Sequence, residues 1–503
     1  MKIQPLMALV VLSLPAVPGA RTAVRGFKAR TLALLTLACL LVAAPATAQV
    51  NYEIYDGTAY VTSSPNASGD IVIASTFNGY PVTRIRYFAF SGCTSLTSVT
   101  IPNSVTTIDQ EPFIGCTSLT NLSVDAANPA YSSLNGVLFN KAQTTLITYP
   151  AARVGGYVIP GSVTSIQQYA FRNCTRLASV TIGNSVTGIG YQAFRRCTSL
   201  TSVTIPNSVT SLEYEAFSGC AGLANVIIGN SVTRLSGTFS GCAHLTSVTI
   251  PASVTSILGF TFNGCTSLTN LSVDAANPGY SSLDGVLFDK AQTTLLRFPP
   301  GRGSCVMPDS VTRIGTTLYA GGGGSGFAFC TSLTNVIIGN SVTNIGSEAF
   351  SACSNLTRVT IPASVINLGY AAFLGSSSLT NFTFLGNAPQ RAFDMDGGFA
   401  QFQNVGAGAR AYYYCGTTGW GATYGGLPTV MLCAPQVAPG SAGVKPGGFG
   451  FTLTRLTNQT IVVEASTNLA NWQPIWTNTL PGASADFVEP EWLQHPSRFY
   501  RAR

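Results

Sequence analysis

The chain repeats itself every ~23 residues, and that period constrains its fold more than any other feature. The segment Gly92-Cys93-Thr94-Ser95-Leu96-Thr97-Ser98-Val99-Thr100-Ile101-Pro102-Asn103-Ser104-Val105-Thr106-Thr107-Ile108 recurs with little change. Its cysteine serves as a ruler. Cys93, Cys116, Cys174, Cys197, Cys220, Cys242, Cys265, Cys330 and Cys353 mark turns, and Ser376 takes the same place in the last. Neighbouring markers keep a constant spacing, and only the step from Cys220 to Cys242 is shorter, by a single position. Such a period is the signature of a solenoid, whose units are too small to bury an apolar face alone and stack on one another to do so.

Within one turn the apolar positions are Phe90, Leu96, Val99, Ile101, Val105 and Ile108. Val99 and Ile101 alternate with Ser98 and Thr100, the period-two pattern of a half-buried strand. Pro102 ends that strand, because it has no N–H to give to a ladder. The expected fold is therefore mainly β: a solenoid of short parallel strands, one per turn, followed by a small β-sandwich-like C-terminal module. About fifteen turns at ~4.8 Å per strand would make a parallel sheet on the order of 70 Å long.

Two gaps break the period, one from Cys116 to Cys174 and a longer one from Cys265 to Cys330. Each holds a near-copy of the same insert. Leu122 to Leu146 matches Leu271 to Leu295 position for position, which points to duplication of a multi-turn block. Strand candidates within the inserts, Gly136 to Phe139 and Tyr157 to Pro160, make them irregular turns of the same stack. The resulting division is a leader (1–48), an N-terminal cap with the first turn (49–92), and the repeat array (93–384) with inserts at 122–160 and 271–308. A C-terminal cap (385–433), a Pro/Gly linker (434–448) and the C-terminal β module (449–503) follow.

The run Cys-Thr-Ser-Leu-Thr-Ser-Val-Thr-Ile-Pro-Asn-Ser-Val, followed by Ile and an Ala-Phe pair, resembles the BspA-like (Treponema pallidum type) leucine-rich repeats over roughly residues 70 to 384. That resemblance implies a leucine-rich-repeat solenoid in an exported or surface-displayed bacterial protein that acts in adhesion. Farther on, Glu464-Ala465-Ser466-Thr467-Asn468-Leu469-Ala470-Asn471-Trp472 with terminal Arg498-Phe499-Tyr500-Arg501 resembles a small C-terminal β module of exported proteins in Verrucomicrobia. Trp472 and Trp476 in this module read as core packing before they read as a carbohydrate platform.

The formal charge of +7 is misleading. Lys2, Arg21, Arg25, Lys28 and Arg30 supply five of the 26 basic residues, with no acid before Gln49, which leaves 21 against 19 in the remainder. A near-neutral body does not grip a phosphate backbone, so nucleic acid is excluded as a partner. The basic head, the apolar stretch Thr31 to Ala44 and the Ala46-Thr47-Ala48 signal form a secretory leader, too short for a stable membrane span. After its cleavage no span is expected.

The Cys column has one thiol per turn and no CxxC pair, so zinc spacing is absent. Parallel Cβ vectors at the strand spacing also disfavour disulfides, which leaves buried free cysteines acting as small hydrophobes. Cys415 and Cys433, outside the repeats, are a candidate disulfide with two free thiols as the alternative. His244 sits in a surface turn and His495 precedes Pro496, so neither makes a promising base. Asp394-Met395-Asp396-Gly397 lacks the later ligands of a calcium loop. Asp125 and Asp274 read as turn caps before the Asn-Pro that follows. No enzyme activity, cofactor or metal is expected.

What remains is the exposed side of the strands: Ser98, Thr100, Asn121, Ser123, Ser179, Thr181, Ser202, Thr204, Asn225, Ile227, Ser247, Thr249, Asn335, Ile337, Arg358 and Thr360. Residue by residue, this ladder reads as solvated, β-prone surface. As a whole it reads as a concave strand face that binds a protein or polysaccharide at the cell surface. The alternative is a structural component of the envelope or matrix with no discrete ligand.

Overall fold

The computed structural model describes residues 50–502 except 259, 316–325, 392–400, 433–435, 455–458, 468–470, 481–483 and 495–497. The leader, the Asp394 to Gly397 loop, Cys433 and His495 lie outside the described residues. Cys415 is half-buried, and its N–H donates at 2.7 Å to the carbonyl of Leu432, the residue that precedes Cys433 in sequence.

Each turn places its Leu-x-x-Val-x-Ile segment in a strand, and fifteen such strands run among the described residues from Gly69–Val72 to Leu427–Leu432. In Leu96–Ile101, Leu96, Val99 and Ile101 are fully buried while the residues between face outward. Phe90 and Val105 are buried as the pattern required, and Ile108 is half-buried. A second, shorter column of strands closes each turn from the other side, as in the parallel run Ser165–Ile166, Gly188–Ile189 and Ser211–Leu212. The stack outlasts the period: Arg410–Tyr414 and Leu427–Leu432 continue it in parallel register after Asn381–Phe384. No helix among the described residues is long and apolar enough to cross a membrane.

The long-strand column is not the continuous sheet that the period suggested. Besides the breaks at the two inserts, after Asn121–Val124 and after Asn270–Val273, its ladder is cut after Leu177–Thr181, after Asn225–Ile228 and after Asn335–Ile337. These three strands run into Ile-Gly (Gly183, Gly229, Gly339), whereas the strands after each cut run into Ile-Pro (Pro206, Pro251, Pro362). A Gly-ended strand pairs with the Pro-ended strand before it and not with the one after it. Gly229 shows how close that pairing can be, since a Cβ there would lie 2.5 Å from the Pro206 carbonyl oxygen.

Behind the strands, one aromatic ring per turn forms a column. Phe171, Phe194 and Phe217 stack at 4.6 and 4.9 Å, and Phe327, Phe350 and Phe373 at 4.8 and 5.2 Å. Beside it, the column cysteines are free and buried, as expected. They also do something the sequence reading missed. Each column thiol after Cys93 donates to the carbonyl of the preceding ring residue, Cys197 to Phe171 and Cys220 to Phe194, both at 3.1 Å, while Cys93 donates to the Ser64 carbonyl.

The inserts fold as antiparallel three-stranded units, which the irregular-turn reading did not foresee. Tyr131–Leu134 pairs with Val137–Asn140, and that strand with Thr145–Thr148. The two-residue turn is Asn135-Gly136 with φ of 48° and 77°, the left-handed pair that a tight hairpin requires. Tyr280–Leu283, Val286–Asp289 and Thr294–Arg297 repeat the arrangement. The middle strand partitions the core. Leu138 packs into the apolar cluster that precedes it, and Val137 and Phe139 into the one that follows. Leu287, Val286 and Phe288 divide the core in the same way at the second insert.

The duplication extends over the array. The paired strands Leu96–Ile101 with Asn121–Val124, Gly155–Val158 with Leu177–Thr181, and Ser202–Ile205 with Asn225–Ile228 form one half. Ser247–Ile250 with Asn270–Val273, Ser304–Val306 with Asn335–Ile337, and Arg358–Ile361 with Asn381–Phe384 form the other. Twelve of the fifteen long strands thus form two copies of a six-turn block, with Gly69–Val72 before them and Arg410–Tyr414 and Leu427–Leu432 after.

In the C-terminal residues, Gly448–Thr454 pairs with Ser484–Glu489, and Gln459–Ser466 with Gln473–Leu480 and Phe499–Ala502. Phe451, Leu453, Ile461, Val463 and Phe487 form their shared core. Trp476 meets Phe487 edge-on at 6.0 Å and Trp472 lies under the Arg501 guanidinium, so both rings serve packing.

Candidate binding face

The outward positions of the long strands form two columns, because side chains two apart on a strand share a face and parallel register aligns them between turns. The first runs through Asp70, Ser98 and Asn121, then Gly156 and Ser179, Ser202 and Asn225, Ser247 and Asn270, Ser304 and Asn335, and Arg358, Asn381 and Arg410. The second runs through Val72, Thr100 and Ser123, then Val158 and Thr181, Thr204 and Ile227, Thr249 and Ser272, Val306 and Ile337, and Thr360 and Thr383. All the sequence-derived face residues fall in these columns. Ser98 and Thr100 are half-buried, and the members from Ser179 to Thr360 named above as candidates are exposed.

The columns differ chemically. The first is small and hydrogen-bonding, with its only acid at the N-terminal end and guanidinium groups toward the other. Thr97 and Ser98 hydroxyls donate to the Asp70 carboxylate at 2.7 and 2.6 Å, and their donation holds that carboxyl below its usual range. The second is β-branched and in places bare: Val72, Val158, Ile227, Val306 and Ile337 are 54–73% exposed. Sequence reasoning found Ile227 and Ile337 but missed the three valines. Pro160 and Pro308 carried the signal, since each ends its strand as Pro102 does and assigns Val158 and Val306 to the position of Thr100.

Elsewhere, His244 is spent on the backbone, its Nδ1 lying 2.7 Å from the Ala221 carbonyl. No group of three or more His, Cys, Asp or Glu side chains among the described residues is arranged to hold a metal. Asp125 and Asp274 accept from the N–H of Ala127 and Ala276 at 2.8 and 2.9 Å, the geometry of an Asx turn. Three concavities among the described residues lie away from the strand face. A cleft lies at the first insert, lined in part by Glu111, Phe113, Tyr149 and Arg172, and two shallow hollows lie along the short strands near Tyr191 and Tyr214.

A stack of short parallel strands with one ring and one thiol per turn defines a leucine-rich-repeat solenoid. The pattern of the BspA type leucine rich repeat region matches six copies across residues 75–151, 153–269, 235–299 and 303–395, and the chain belongs to that family. Among solved structures it is similar to a leucine rich cell surface protein from Faecalibacterium prausnitzii, at 24% identity over 73% of this chain and 93% of that one, with a TM-score of 0.44. It is also similar to a leucine-rich repeat protein of T. pallidum, at 28% identity over 45% of this chain and 90% of that one, with a TM-score of 0.26. The pneumococcal vaccine antigen PcpA matches at 17% identity over 73% and 92%, with a TM-score of 0.36. No curated protein matches the chain.

Proposed function

We propose that this chain is an exported, non-catalytic recognition protein that holds a protein partner on its strand face. The observation that carries this reading is the β-branched column. Valine and isoleucine side chains more than half exposed (Val72, Val158, Ile227, Val306 and Ile337) recur along one face beside a column rich in Ser and Asn, with Val306 and Ile337 paired on adjacent turns. Bare aliphatic groups favour a protein surface over a glycan, and the adjacent hydroxyls and amides supply hydrogen bonds to its polar rim. Export rests on the leader read from the sequence.

The test uses the chain from residue 49 with a photo-crosslinking residue in place of Thr204, mixed with intact cell-surface fractions and purified matrix proteins. One protein species should be captured from them, and Ile227→Asp with Ile337→Asp should abolish capture without lowering the melting temperature. Capture that survives both substitutions refutes the location. No crosslinked species beyond the chain itself would instead support an architectural role.

A further inference from the structure

The first insert leaves a row of backbone donors with nothing to bond. In a regular turn three N–H groups donate to three carbonyls of the next: Gln192 to Tyr214 at 3.1 Å, Phe194 to Ala216 at 2.8 Å and Arg196 to Ser218 at 2.8 Å. Glu111, Phe113 and Gly115 hold the same positions in the turn that precedes the insert. Among the described residues none of their three N–H groups has an acceptor. The core parts at the same place, with Phe113 in one apolar cluster and Tyr149 in the next. A cleft of about 50 Å³ opens there over Leu119, Ile147 and Tyr149. Arg172 reaches across it to the nearly buried Glu111 carboxylate, and the Arg172 Nε is buried without an acceptor.

The second copy of the block supplies a control inside the same molecule. In the correspondence that sets Leu122 against Leu271, Thr148 of the first insert becomes Arg297 and Phe113 becomes Phe262. Arg297 is 4% exposed and donates to the Phe262 carbonyl at 3.2 Å and the Ala328 carbonyl at 2.7 Å, so its own side chain spans the second wedge. In the first wedge the corresponding residue, Thr148, only lines the cleft.

We propose that the first wedge is a peptide site, separate from the strand face, in which an uncharged segment of another polypeptide enters as the missing turn. Donors at residues 111, 113 and 115 call for alternate carbonyl oxygens of one peptide segment, as Tyr214, Ala216 and Ser218 supply them in a regular turn. At ~10–15 Å³ per water the cleft has room for about three to five waters, enough to admit a side chain the size of Ala or Ser. The segment is uncharged because the carboxylates at the site are already paired, Glu111 with Arg172 and Asp109 with Arg84.

The test titrates acetyl-Gly-Ala-Gly-Ala-Gly-amide into the chain from residue 49, labelled with ¹⁵N at glycine and phenylalanine. The Phe113 and Gly115 amide signals should shift saturably. The pair Thr148→Arg and Arg172→Ala, which rebuilds the second wedge in the first, should weaken binding at least tenfold with an unchanged melting temperature. Thr148→Leu, which fills the cleft without new charge, decides in the same way if the pair unfolds. Arg297→Thr should create a second set of shifts at Phe262 and Gly264. Unmoved amides, or unchanged affinity in the cleft-filled variant, overturn the site. Shifts caused by sodium acetate but not by the peptide overturn it in favour of an anion.

Discussion

The Ser376 hydroxyl donates to the carbonyl oxygen of Phe350 at 2.7 Å, in the place where Cys353, one turn earlier, gives its thiol to Phe327 at 3.1 Å. The column residue is therefore a small buried donor that ties each turn to the one before it, and serine meets that need as well as cysteine. Cys220→Ser should leave unfolding in urea within about 0.5 kcal/mol of the parent, while Cys220→Ala, which removes the bond to Phe194, should cost about 1 kcal/mol more. Equal midpoints for the two variants would show that the thiol serves only to fill space.

Burial has a consequence at alkaline pH. It pushes the thiols of Cys116, Cys265, Cys305 and Cys330 up to about 12 from the ordinary value near 9. A group whose folded value is raised contributes full stability below its unfolded value and loses it as pH rises toward the folded one. The melting temperature should accordingly be flat near neutrality and fall between about pH 9 and pH 12. Replacing these four cysteines with serine should flatten that fall, and an unchanged alkaline limb would place its origin in other groups.

The cysteine ruler was enough to place strands, core side and outward columns, because period-two alternation and a proline stop act locally. The division of the ladder was harder to see, since it turns on whether Gly or Pro follows an otherwise constant Val-x-Ile. The full duplication was hidden because the gap from Cys265 to Cys330 is longer than the one from Cys116 to Cys174, which throws the later turns out of the simple offset. The cleft was invisible for the opposite reason. The inserts are so alike that one difference, Thr148 against Arg297, carries no weight until the chain is folded and only one wedge is found filled.

Within each insert one asparagine holds the departure from the period. Asn128 is fully buried, and its Nδ2 donates to the Pro102 and Val105 carbonyls at 2.7 and 2.9 Å while its Oδ1 accepts from the Ala130 and Tyr131 N–H groups. Asn277 makes the same four bonds in the second copy. Either residue changed to Ala leaves four backbone groups short of a partner, and chemical denaturation should show a loss of about 2–4 kcal/mol. The exposed Asn225→Ala should change stability by less than about 0.5 kcal/mol. Similar losses at buried and exposed sites would remove the special role of the buried pair.

Gly183 and Gly229 end equivalent strands, yet their surroundings predict opposite responses to the same substitution. A Cβ on Gly183 would meet nothing within 4 Å, and its φ is not positive. Gly183→Ala should therefore leave stability unchanged or raise it by roughly 0.4–1 kcal/mol, by restricting the unfolded chain. A Cβ on Gly229 would lie 2.5 Å from the Pro206 oxygen and 2.8 Å from the Asn207 nitrogen, both of them backbone atoms that cannot swing away. Gly229→Ala must push apart the paired strands Ser202–Ile205 and Asn225–Ile228, at a cost of about 1–3 kcal/mol. Hydrogen exchange should locate the damage as faster exchange of the ladder amides from Val203 to Ile228. Gly386, one residue past Leu385, which holds the place of Gly229 in the second block, would put its Cβ 2.6 Å from the Ala363 Cα of the preceding turn, and Gly386→Ala should be damaging for the same reason. If Gly183→Ala proves as damaging as the other two, close approach to the preceding turn is not what selects glycine here, and the alternation with proline needs another cause.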